Sequence, residues 1–498
     1  MSRKSSRERG PRTSDAVALA LFILFFLSGF TGLVYEVAWV RLFTGVFGNT
    51  TYSVTAVLSA FMAGLAIGSR LFGKLIDTRK RQLVVYSALE AGIALSAILI
   101  TLAVPLLDPV YGFLYNRLNF SDALLTTVRF ILSFTLVIIP TLLMGGTLPV
   151  IARFFIRRMG QVGRGAGLLY GINTLGAAAG CLVTGFYLIK SFGVRESVFF
   201  AALVNIIIAA CVFIAARILP AMKPVETTGA VPKRNGGGDS SAARAHVFLL
   251  LAAAAGFVSL SCEILWTRLL VFMLKTTVYA FSIMLTTFLL GIGLGSLIFA
   301  FVERRFVIKN HLRLWGLLQW GVAVSVFLSL LAFGAFSGMP IEAYSTGGTW
   351  TGNILKANLL PSVMVMAIPT LLIGMAFPAA VAVFTRQISR VGESLGTLYA
   401  ASTAGSIAGC IITGFFLVSL AGTQNSMLIM IITSCCIATL ALFLSAGSGP
   451  GKSADPASSS RFYGWRAFAP WPAVIASLFI IPGDYLFRYY NMGEAMHD

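Results

Sequence analysis

The sequence predicts an all-α polytopic membrane protein built from two homologous six-helix halves, and three observations predict it. The 498-residue chain is 57% hydrophobic and 11% charged, with a mean hydropathy of +0.88. Soluble domains carry roughly 25% charged residues, so this chain has too little polar surface to cover a globule in water. Apolar runs long enough to cross a bilayer recur along it, and the first set of runs reads like the second.

A bilayer core is spanned by ~20 apolar residues in a helix. Six such runs occupy Ala16–Phe43, Tyr52–Leu75, Leu83–Leu107, Phe130–Phe155, Ala166–Ile189 and Ser197–Ile218. Six more occupy Ala245–Phe272, Tyr279–Phe301, Leu314–Phe336, Leu359–Phe384, Leu395–Leu420 and Ser426–Ser445. In lipid every backbone amide must bond internally, so these runs are helices. The domain reading is a basic N-terminus (1–15), one repeat (16–219), a linker (220–244), a second repeat (245–446), a short linker (447–466) and an apolar tail (467–498). The linkers are Gly-, Ser- and Pro-rich without periodicity. The tail is short and interrupted by Pro470, Pro472 and Pro482, and reads as a thirteenth crossing or an interfacial segment. The N-terminal run is too long for a signal peptide and has no small-residue cleavage site, so it is expected to stay as the first span.

The formal charge is +19, but the cations cluster at the ends of apolar runs. They read as topology signals and contacts to anionic lipid, so the expected partner is the bilayer and not nucleic acid. Basic loops alternate with poorly charged ones, which predicts that the N-terminus and the end of the twelve-span unit lie in the cytoplasm. The six cysteines lie in apolar runs and the three histidines are scattered, so no metal site, disulfide framework, cofactor or catalytic residue is expected. Asn235–Asp239 looks like a glycine-rich nucleotide turn, but it sits inside a polar linker and is rejected.

The halves align. GFTGLVYEVAWVRL (Gly29–Leu42) matches GFVSLSCEILWTRL (Gly256–Leu269), pairing Glu36 with Glu263, Trp39 with Trp266 and Arg41 with Arg268. With a two-residue shift, Pro140–Pro149 matches Pro369–Pro378, and Leu168–Phe186 matches Thr397–Phe415. Each half has an even number of spans, so the repeats are parallel, as in the halves of major facilitator proteins.

Small residues four apart, Ala60/Gly64/Gly68 and Gly176/Gly180/Thr184 with their repeats, allow close helix approach, either as static packing or as a sliding surface. Pro140, Pro149, Pro369 and Pro378 are expected to kink their helices.

Charge inside a membrane is expensive and points to function or to a structural ion pair. Glu36 and Glu263 are candidate solute or proton ligands. Arg41 and Arg268, about 140° further round their helices, are candidate charge partners or gates acting from another helix. Glu90 has Gln319 as its repeat equivalent, and a carboxylate present in one half alone suits a one-sided site. Asn173, matched with Ser402, is a further polar candidate. After the second span, GKLIDTRKR (Gly73–Arg81) resembles the major facilitator loop motif through Gly73, Asp77, Arg79 and Arg81, although Thr78 and Lys80 depart from it. The expected role is a charge latch to a neighbouring helix end; the alternative is ordinary positive-inside charge.

The stretch SGFTGLVYEVAWVRLFTGVFGNTTYSVTAVLSAFMAGLAIGSRLFGKLID, with PTLLMGGTLPVIAR and LLYGINTLGAAAGCLVTGF, resembles the membrane portion of the fused spermidine synthase-like proteins of bacteria. That resemblance implies a transporter-like module integral to the cytoplasmic (inner) membrane of a bacterium, followed by a soluble aminopropyltransferase-like domain. This sequence ends at PGDYLFRYYNMGEAMHD with no strand–glycine turn–helix unit, so none of that family's catalytic residues carry over, and enzymatic activity is not expected of it. The expectations that follow are a module that binds or moves a small cationic solute such as a polyamine, or an anchor or channelling partner for a separately encoded aminopropyltransferase-like enzyme.

Overall fold

A computed structural model describes residues 15–47, 51–106, 109, 122–219, 238–274, 278–336 and 350–446. The described residues are helical apart from short connections. The first half contains α1 (Asp15–Phe47), α2 (Thr51–Ile76), α3 (Gln82–Ala103), α4 (Asp122–Phe155), α5 (Val162–Val183) and α6 (Val194–Ile218). The second contains α7 (Gly238–Leu274), α8 (Val278–Arg305), α9 (His311–Phe336), α10 (Trp350–Phe384), α11 (Val391–Ile411) and α12 (Val418–Ala446). The end of the expected central linker, from Gly238 onward, is already helical and opens α7. The C-terminal tail and its question of a thirteenth crossing lie outside the described residues.

By length and hydropathy, the described residues offer 11 candidate spans, one of them the 59-residue stretch Ile388–Ala446. A straight helix of that length would be roughly 90 Å long, about three bilayer cores. The stretch folds back instead at Gly422, whose φ of 75° is left-handed. Gly193, with φ of 90°, makes the same turn between α5 and α6. A side chain is strained in that conformation, so glycine stands at both places. Each turn follows a π-helical stretch, Thr184–Leu188 in one half and Ile412–Leu417 in the other. Splitting the stretch at Gly422 gives twelve spans among the described residues.

The repeat is visible contact by contact. A Cβ on Gly68 would lie 1.8 Å from the Leu142 carbonyl oxygen, and one on Gly295 would lie 2.0 Å from that of Leu371. Gly176 meets Phe26 and Gly405 meets Ala253; Gly92 meets Leu143 and Gly321 meets Leu372. Trp39 and Trp266 are both fully buried. The small-residue ridges therefore face partners inside their own half, packing α2 on α4 and α5 on α1. Without a hydrophobic drive between helices in lipid, such close backbone approach is what holds a sextet together. The prolines do not interrupt their helices: α4 runs through Pro140 and Pro149, and α10 through Pro361, Pro369 and Pro378.

The halves meet along two other crossings. On α2 and α11, a Cβ on Gly73 would lie 2.5 Å from the Gly392 carbonyl, and one on Gly396 would lie 2.1 Å from that of Ser69. On α5 and α8, a Cβ on Gly167 would lie 2.8 Å from the Ser296 carbonyl. Ser69 adds a hydrogen bond from its hydroxyl to the Gly396 carbonyl at 3.1 Å.

Candidate functional site: a central cavity between the halves

Between the halves lies a cavity of about 300 Å³. Its wall comes from α1, α2, α4 and α5 and from their repeats α7, α8, α10 and α11, with α9 contributing from the second half alone. The wall residues are themselves paired by the repeat: Glu36 with Glu263, Phe61 with Phe288, Tyr170 with Tyr399, and Asn173 with Ser402. Most of the remaining lining is apolar, so the few polar groups set what the cavity recognises.

Glu36 and Glu263 face one another's half across this space. Neither carboxylate has a hydrogen bond or an ion pair among the described residues. The arginines do not neutralise them: Arg268 is exposed on α7, and Arg41 is half-buried with contacts of its own. Asn173 lines the cavity, and its amide donates to the Phe25 carbonyl at 3.1 Å, tying α5 to α1.

Glu90 is fully buried on α3 and is not part of the wall. It accepts a hydrogen bond from the Ser28 hydroxyl at 2.6 Å and another from the Asn205 amide. Asn205 in turn accepts from the Tyr35 hydroxyl at 2.9 Å. Its repeat equivalent, Gln319, does line the cavity.

The loop motif forms a junction at the end of the molecule carrying the basic loops. Asp77 accepts from the backbone N–H of Gly392 at 3.1 Å and of Glu393 at 2.8 Å, at the N-terminus of α11. A helix N-terminus has unpaired donors and a positive dipole end, so a carboxylate is favoured there. Arg153, at the end of α4, holds an ion pair to the same carboxylate at 3.1 Å. Burial pushes the Asp77 carboxyl up to about 6, against the opposing pull of the Glu393 and Gly392 N–H groups and of Arg153. Gly73 supplies the close contact with α11, while Arg79 and Arg81 are exposed.

Sequence reasoning missed the second such junction. Glu303 ends α8 beside Gly163, where a Cβ would lie 2.7 Å from its carboxylate, and it pairs with His311 at 2.9 Å. Gly163 is the repeat equivalent of Gly392, so the signal was present in the alignment, although Glu303 falls outside the loop motif. Among the described residues no group of three or more His, Cys, Asp or Glu is placed to hold a metal ion.

No family model and no curated relative matches the sequence. Solved structures share its fold. The crystal structure of FucP, a Major Facilitator Superfamily transporter in the outward conformation, is similar with a TM-score of 0.54 at 14% identity, covering 85% of this chain and 98% of that one. A bacterial homologue of the iron transporter ferroportin, in an outward-facing state, is similar with a TM-score of 0.51 at 15% identity, over 84% of this chain and 97% of that one. The human organic anion transporter MFSD10 (TETRAN) is similar with a TM-score of 0.51 at 14% identity, over 84% and 98%. The class that the fold defines is an integral membrane protein with a major-facilitator-like architecture.

Proposed function

We propose that the protein is a membrane carrier that moves a small cationic solute, of the polyamine class, through the central cavity by alternating exposure of that cavity to the two sides of the membrane. The observation that carries this reading is the pair Glu36 and Glu263: two carboxylates at repeat-equivalent positions, lining one cavity, with no cation partner among the described residues. A buried carboxylate without a partner is costly, and a bound cation removes that cost. Tyr170 and Tyr399, also on the wall, offer ring faces and hydroxyls to an ammonium group. The charge of the basic end supports a cytoplasmic location for it.

Spermidine and putrescine uptake into proteoliposomes tests it. Glu36→Gln and Glu263→Gln are each expected to weaken uptake about 30-fold or more, the cost of truncating one side of a buried charge contact. Undiminished uptake in both variants would sink the reading. A second reading, favoured by the sequence resemblance, is an anchor or channelling partner for a separate aminopropyltransferase-like enzyme. Co-purification of such an enzyme with a chain that transports neither amine would favour it.

A further inference from the structure

The polar cluster behind the cavity exists in one half only. In the first half it is Ser28, Tyr35, Glu90 and Asn205. The repeat places Ala255, Cys262, Gln319 and Ser434 at those positions, which removes the carboxylate and the cavity-side hydroxyl that serves it. Ser28 is the member that also lines the cavity, so it alone connects the cluster to the solute space. Among the described residues no cation pairs with Glu90. The titratable side chains beside it are Tyr35 from α1 and Tyr86 from its own helix; α6 brings the neutral Asn205, and α4 brings none.

Ser28 and Asn205 donate to the carboxylate, and the Tyr86 hydroxyl lies against both Glu90 and Ser28, which is the arrangement an ionised Glu90 requires. One added proton is inexpensive where it faces a hydroxyl, Ser28 or Tyr86, and of these two Ser28 is the one that lines the cavity. On the oxygen facing Ser28 it is donated to the serine, because a hydroxyl reverses by turning about a single bond. Asn205 would have to turn its amide over, and Tyr35 would have to reverse with it. The hydrogen of Ser28 then leaves Glu90 and turns toward the cavity that the side chain faces.

We propose that Ser28 is a donor–acceptor switch set by a proton on Glu90, and so a specificity-determining residue of the cavity. With Glu90 ionised, the serine hydrogen is engaged and only lone pairs face the cavity, which suits an N–H donor on a cationic solute. With Glu90 protonated, the serine presents a hydrogen and opposes that donor. The proton enters from and returns to cavity water, and no other bond changes. Proton and cationic solute therefore exclude one another while occupying different atoms. The solute half of the proposal rests on the function proposed above; the proton half does not.

Infrared pH-difference spectra of the full chain in lipid test the proton half. The wild type is expected to show a carboxyl C=O band that vanishes in Glu90→Gln, persists in Glu90→Asp and in the Glu36→Gln/Glu263→Gln double variant, and changes frequency in Ser28→Ala. Identical spectra for the wild type and Glu90→Gln, or no frequency change in Ser28→Ala, would overturn the proposal whatever the solute. Calorimetric titration with spermidine tests the solute half. On acidification the wild type is expected to lose at least tenfold more affinity than Glu90→Gln does, with Ser28→Ala following Glu90→Gln. Ser28→Ala following the wild type would overturn the switch. If spermidine binds to none of these proteins, the solute reading fails, and the band with its frequency change decides the switch alone.

Discussion

The two halves share their backbone contacts and differ in their polar interiors. Where one helix lies on another, the same glycines meet the same neighbours in both: Gly29 on Asn173 and Gly256 on Ser402, Gly145 on Leu65 and Gly374 on Ile292. Glu90 lies behind the cavity in the first half, whereas its repeat equivalent Gln319 lines the cavity in the second. At the basic end, Asp77 with Arg153 caps α11, while Glu303 with His311 lies against α5. Packing contacts that define a fold cannot drift apart without unfolding one sextet. Polar groups that do not define the fold can, and those that differ are where the two halves have taken separate tasks.

The largest effect that would break this comparison lies at the helix crossings. Gly68→Ala and Gly295→Ala each place a methyl within 2.0 Å of a backbone carbonyl, which no rotamer change can relieve. Both are expected to lose ~3 kcal/mol of stability, at the upper end for overpacking. Gly32→Ala meets nothing within 4 Å and is expected to be within ~0.5 kcal/mol of the wild type. Denaturation of the purified protein in detergent measures all three. A tolerant Gly68→Ala beside a damaging Gly295→Ala would mean that the halves are not packed alike.

Much of this fold was legible in the sequence, because the bilayer restricts the answer. Twelve apolar runs give twelve helices, since lipid offers no other backbone geometry to a chain of this kind. The duplication was legible because Glu, Trp, Arg and Gly recur at matched positions within apolar runs that have no other reason to share them. Which partner each glycine ridge meets was not legible: Gly64 and Gly68 pack against α4, whereas Gly73, about 1.4 turns beyond Gly68 on the same helix, crosses to the other half. Helix identity fixes the periodicity of a face but not its neighbour. For the same reason the sequence singled out Glu36, Glu263 and Glu90 without separating them. Only the three-dimensional packing puts two of them on the cavity wall and the third behind Ser28. Arg41 and Arg268 were legible as charges but not by location, since a helix end and a span interior read alike within a few residues.

The junctions at the basic end sharpen the comparison by their response to pH. Asp77 takes up its proton as the pH falls through about 6, because burial holds its carboxyl above the 3.8 of an exposed aspartate. Between those values the folded chain binds the proton and the unfolded chain does not, so acidification through this window favours the folded state while removing the counter-charge of Arg153. The expected result is a looser α2–α11 crossing in an intact protein. Spin labels at Arg79 and Arg390, both exposed and in loops of opposite halves, are expected to move apart below pH 6 in the wild type and to show no such step in Asp77→Asn. A step of equal size in Asp77→Asn would assign the movement to another group.

The smallest effect is expected where the halves agree again, at the turns that end α5 and α11. Ser197 donates from its hydroxyl to the Gly193 carbonyl, and Ser426 does the same to the Gly422 carbonyl at 2.6 Å. In each case the serine hydroxyl adds a bond to the carbonyl of the left-handed glycine, which in Gly193 also accepts the Ser197 backbone N–H at 3.3 Å. Gly193 is half-buried and Gly422 exposed, so losing one such bond is expected to cost about 0.5 kcal/mol, the low end for a hydrogen bond. Ser197→Ala and Ser426→Ala are therefore expected to lower the unfolding midpoint slightly and by the same amount, with the double variant showing their sum because the two turns lie in different halves. Unequal losses would show that one turn bears load that the other does not, and that the repeat has diverged at its hinges as well as in its interior.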